Sequence, residues 1–86
     1  MANKRILKKQ INAMVIDVID ECIYVQEVNE SKTDAAELLI EEVISFYNTQ
    51  ISEINKAKTK KDFRSIVTDF EEKSDVYLDK LNNLNK

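Results

Sequence analysis

From Ile11 to Val28 the chain reads INAMVIDVIDECIYVQEV, and this stretch decides the fold. Leu7, Ile11, Met14, Val18, Cys22 and Val25 recur at spacings of three and four. Residues so spaced stand one above another on a helix. Val15, Ile19 and Ile23 make a second row beside the first, and Ile16 widens it. Asp17, Asp20, Glu21, Tyr24 and Glu27 form only a narrow polar strip. A face so wide needs cover from more than one side. The stretch is therefore expected to be a central helix with two partners. Its β-branched residues are weak helix formers, so packing must hold it.

Outward from this stretch, the first helix is expected to run from about Asn3 to Val28. The segment Asn29-Glu30-Ser31-Lys32-Thr33 breaks it. Ser31 or Thr33 is expected to cap the second helix, with Asp34 and Glu37 in its first turn, where acids suit the dipole. The apolar row of that helix is Ala36, Leu39, Ile40, Val43, Tyr47, Ile51 and Ile54. Ile44 lies beside the row, Phe46 on its flank, and Leu38 among the polar residues. A turn is expected near Lys56 to Thr59, where Thr59 and Asp62 resemble a capping box. The alternative is one continuous helix from Thr33 to Leu84, stable only when paired with another chain. The third helix carries Phe63, Val67, Phe70, Ser74, Tyr77, Leu81 and Leu84 in a heptad seam. Ser74 interrupts the seam, and its hydroxyl is expected to bond back to a carbonyl of its own helix. Residues Asn82 to Lys86 are expected to fray.

Three helices of similar length with short connections define an all-α, up-down-up antiparallel bundle in a single domain over residues 1–86. The chain has no Gly and no Pro, which argues against tight hairpins. There is no internal repeat, linker or low-complexity segment. The single Cys22 excludes an intrachain disulfide and fits a small buried hydrophobe in a reducing interior. The basic start resembles an export leader, but Asp17, Asp20 and Glu21 interrupt the apolar segment that would follow. No apolar run approaches the ~20 residues that span a membrane. A cytoplasmic protein without membrane contact is expected. Its richness in Lys, Asn and Ile suggests an AT-rich bacterial genome.

Charge is unevenly placed. The net charge is −3, from 13 basic and 16 acidic residues. The up-down-up topology brings Lys4, Arg5, Lys8, Lys9, Lys56, Lys58, Lys60, Lys61 and Arg64 to one end, against Glu53 and Asp62. Between Gln10 and Asn55 the sole basic residue is Lys32. Asp17 with Glu21, Glu37 with Glu41, Glu71 with Asp75 and Asp75 with Asp79 are like-charge pairs four residues apart, each costing a few tenths of a kcal/mol on a helix. Helix stability does not explain this arrangement. A solvating surface accounts for it, and so does a docking surface for a cationic partner.

The residue types exclude most chemistry. Without His, the usual general base near neutral pH is missing, and Cys22 and Ser74 lack the partner that would activate them. Glu41-Glu42 and Glu71-Glu72 are adjacent in sequence and point in different directions on a helix. No catalytic or cofactor-binding residue is assigned, and an enzyme is not expected. The di-metal motif of helix bundles needs Glu-x-x-His. Asp17, Asp20 and Glu21 share a face but offer at most loose cation binding, so no metal site is assigned. Two binding readings remain. The leading one is an unknown protein partner held by the acidic surface, with Asp34, Glu37, Glu41 and Glu42 as contact residues. The alternative is nucleic acid or another polyanion at the basic end, through Lys56, Lys58, Lys60, Lys61 and Arg64 at a helix start. An acidic chain with helices too long for a helix-turn-helix weakens the alternative. Leu38, Phe46 and Val76 lie off the main seams and suit a homodimer face or a partner groove. Association of basic end with acidic end is a further option, one that salt would weaken.

The opening Lys4-Arg5-Ile6-Leu7-Lys8-Lys9-Gln10-Ile11-Asn12, followed by an apolar helix ending in Asp20-Glu21-Cys22, resembles the start of a family of small bacterial proteins of unknown function. The resemblance covers about the first third of the chain. It implies an intracellular helical bundle and assigns no functional residues.

Overall fold

A computed structural model describes residues 4–85. Helix α1 spans Lys4–Val28, a short 3₁₀ turn Glu30–Lys32, α2 Thr33–Lys56 and α3 Lys60–Leu84. The three helices form an antiparallel bundle 45 Å long and 16 to 17 Å across. The continuous α2–α3 helix does not occur. Asn3 and Lys86, the outermost residues of the expected elements, lie outside the described residues. Every described residue keeps a negative φ, as connections without glycine require.

The two connections are built differently. At the second, the expected capping box is present. Thr59 Oγ1 accepts from the Asp62 amide at 3.1 Å, and Asp62 Oδ2 accepts from the Thr59 amide at 3.2 Å. At the first, neither Ser31 nor Thr33 caps α2. Asn29 Oδ1 instead accepts from the Ser31 amide and hydroxyl, opening the 3₁₀ turn, and α2 starts behind Lys32 without a side-chain cap. The turn uses the hydroxyl that the cap would have needed. Its Lys32 ammonium donates to the carbonyls of Leu84 at 2.7 Å and Asn83 at 3.4 Å. A cation there satisfies orphan carbonyls and opposes the negative end of the dipole. The contact lies at the C-terminal end of α3, which is helical through Leu84.

The core follows the expected rows, with corrections at their edges. Leu7, Ile11, Val15, Val18, Cys22 and Val25 of α1 are buried, and Met14 is half-buried. Ile16 and Ile23, expected under cover, are 49% and 43% exposed. Two neighbours cover about half of a helix's circumference, and both residues fall outside that arc. On α2, Ala36, Leu39, Val43 and Ile54 are buried, while Ile44 is 44% exposed. The core of α2 is rotated toward α3. Phe46, assigned to the flank, is buried edge-on against Tyr77, with ring centroids 5.7 Å apart. The same rotation buries Gln50 completely. On α3, Ile66 joins Tyr77 and Leu81 in the core, while Phe63, Val67 and Phe70 are only partly covered.

Candidate interaction surfaces

Three groups of residues bear on function. Cys22 is buried; burial, then the neighbouring Glu21 charge, pushes its thiol above the ordinary range. A thiol so placed is a poor nucleophile. Ser74 Oγ is buried, and among the described residues it has no hydrogen-bond partner, so the expected bond back to a carbonyl is not made. Asp17 and Glu21 reach the rim of an apolar groove between α1 and α3, floored by Met14, Val18, Leu78 and Leu81. Among the described residues no three acidic or thiol side chains come together to hold a metal ion. Among the described residues no helix is long and apolar enough to cross a membrane.

The acidic surface divides in two. Asp34, Glu37, Glu41 and Glu42 are all exposed on α2. Asp34, Glu37 and Glu41 follow one another at spacings of three and four and so share a strip. Glu42 turns toward α3, where Lys80 Nζ pairs with its Oε2 at 2.5 Å. Both side chains are near half exposed, so the pair contributes at most about 1 kcal/mol. Lys32, the nearest cation in sequence, is engaged at the end of α3. Beyond Glu42, a groove between α2 and α3 presents Leu38 and Val76, 61% and 42% exposed, between Glu41 and Lys73. Phe46 and Tyr77 close its floor. Burial, then the charges of Glu42 and Asp69, raises the Tyr77 phenol above its ordinary range.

The basic end is exposed but its helix start is occupied. Lys56, Lys58, Lys60, Lys61 and Arg64 all face solvent around the α2–α3 turn. Asp62 sits in their midst. It accepts from the amides of Lys58 and Thr59, which hold its carboxyl below the usual range, with lesser help from the Thr59 hydroxyl and Lys61. The Thr59 hydroxyl takes the Asp62 amide. A bound phosphate would compete with an internal carboxylate for this turn. Glu53, Asp69 and Glu72 line one groove with Lys61 and Arg64, so the positive field there is interrupted.

Gln50 is the residue whose placement periodicity missed. Its Nε2 donates to Asp69 Oδ2 at 3.0 Å, and its Oε1 is buried without a partner among the described residues. A polar residue on a core row was the available signal: Gln50 follows Val43 by seven and Phe46 by four.

Compared with family models, curated proteins and solved structures, the chain matches none.

Proposed function

We propose that this chain is a small protein-interaction module that works through the acidic α1–α2 surface and not by catalysis. One observation carries the reading. Glu37 and Glu41, four apart on α2, stand exposed beside the exposed Ile44, on the chain's most weakly compensated stretch. Such a pair destabilises its own helix by a few tenths of a kcal/mol. A cationic partner surface turns that cost into attraction and covers the isoleucine. A bacterial, cytoplasmic setting belongs to the same proposal, supported by the resemblance of Lys4 to Asn12 and by the lone buried thiol.

The test reverses Glu37, Glu41 and Glu42 to Lys and compares capture of proteins by tagged wild-type and variant chains, with nuclease present. The expected result is loss of a specific partner at unchanged helicity. Equal capture by both chains would refute the reading.

A further inference from the structure

Two flanks of the α1–α2 pair are identified by what α3 touches. On α1, Met14, Asp17 and Glu21 share a groove with Ser74, Leu78 and Asn82 of α3. On α2, Phe46 meets Tyr77, and Leu38 and Glu42 share a groove with Lys80. At 3.6 residues per turn, Ile16, Ile19 and Ile23 then lie on the flank of α1 away from α3. Ile40, Ile44 and Ile51 lie on the corresponding flank of α2. Lys8 bonds to Asn55, and Gln26 to the Thr33 carbonyl, along the seam between these flanks. The six isoleucines therefore make one face, with Ile16, Ile23 and Ile44 at 43 to 49% exposure and the other three partly buried.

The two seam bonds also fix the level of each residue along the bundle. Lys8 lies opposite Asn55 and Gln26 opposite Thr33, so Ile16 and Ile44 fall near the middle of the 45 Å length. The neutral polar residues among the isoleucines are Asn12 and Asn48, and Asp20, four after Ile16 and three before Ile23, is exposed on the same strip. Toward one end of the same face stand Lys8 and Lys9; toward the other stand Asp20, Glu27 and Glu37, with Glu41 at the edge shared with the α2–α3 groove. An apolar centre with opposite charges at its two ends is complementary to itself under a two-fold rotation about an axis through the centre.

We infer that this face binds a second copy of the chain, related by a two-fold axis perpendicular to the long axis of the bundle. The inference rests on the interaction role proposed above and names its partner. Isoleucines meet isoleucines at the centre. Lys8 and Lys9 of each copy meet the acidic end of the other. Helices α1 and α2 of the two copies form a four-helix core, and the polar α3 helices lie outside. The side of the bundle, 45 by 17 Å, is broad enough to carry an interface on the scale of the ~800 Å² that each partner gives to a standard one.

The test is sedimentation equilibrium of the full chain from micromolar to millimolar concentration at low and moderate salt. The expected species is a dimer of twice 10.0 kDa that weakens with salt. Ile16→Glu with Ile44→Glu is expected to abolish it, while Val76→Glu, outside the face, leaves it intact. Glu37→Lys with Glu41→Lys keeps the core untouched and is expected to weaken association at least tenfold. Adding Lys8→Glu and Lys9→Glu to that variant is expected to restore it. A wild-type chain that stays monomeric throughout overturns the inference. So does a dimer broken by Val76→Glu and indifferent to the isoleucine variants. Should that monomer still capture a cationic protein, lost on reversing Glu37, Glu41 and Glu42, the interaction role stands with a different partner. Neither dimer nor such capture overturns both.

Discussion

Gln50 carries the clearest unmet demand in the molecule. Its amide nitrogen is matched by Asp69, but its carbonyl oxygen is buried without a protein partner among the described residues. A buried unsatisfied carbonyl costs about 1–3 kcal/mol, and replacing such a group by an apolar one of similar shape is neutral to stabilising. Gln50→Met is accordingly expected to raise stability by about 1 kcal/mol, roughly 4–8 °C in melting temperature for a domain of this size. Asp69 is only half-buried and solvates itself when the amide is removed. A lower melting temperature would show that the Gln50–Asp69 bond outweighs the stranded oxygen. This residue also marks where sequence reading stops. Spacing places position 50 on the core row, but an amide reads as surface until the rotation of α2 toward α3 is known. Phe46 was misplaced for the same reason, and Ile66, beside Val67 of the α3 seam, was not assigned to the core. Ser74 differs: its position in the seam was legible, and its missing partner was not.

Among the elements, α3 is the most self-specified. Its capping box was legible because Thr59 and Asp62 stand at the required separation, and each bond it predicts is made. Thr59→Ala is expected to cost about 1 kcal/mol. Chemical denaturation of the two proteins checks this; equal midpoints would mean that the cap is dispensable. The Asp62 carboxyl is held below its ordinary range by the Lys58 and Thr59 amides. A depressed folded-state value contributes stability at pH above the unfolded value and loses it as pH falls through the folded one. Acidification below the carboxylate range should therefore shrink the gap between wild type and Asp62→Asn. A gap that widens in acid would contradict the assignment. Helix α2 lacks such a cap, and the first connection was misread because Asn29, not Ser31 or Thr33, organises it. Asn, Ser and Thr all suit such positions, and composition does not rank them.

For the whole molecule, topology followed from three amphipathic rows and two short breaks, and the charge separation followed from topology. Sequence periodicity left open which part of each apolar row would be covered. It treated Ile16, Ile23 and Ile44 as interior because a row looks alike whether a neighbour or water lies beside it. The third helix settles this by packing on the other side of α1 and α2. The acidic crowding has its own consequence. At concentrations too low for association, moderate salt should raise the melting temperature by screening Asp17 with Glu21, Glu37 with Glu41, and the run Glu71, Asp75 and Asp79. A fall in melting temperature would mean that attractive pairs such as Glu42–Lys80 dominate. The most direct measurement of the working surface uses the fact that native Cys22 is buried. Ile44→Cys and Val76→Cys each place one accessible thiol on a different face, and their labelling rates are followed as protein concentration rises. The account predicts slowing at position 44 and a constant rate at position 76. Equal rates at position 44 across the whole range, or protection confined to position 76, would contradict it.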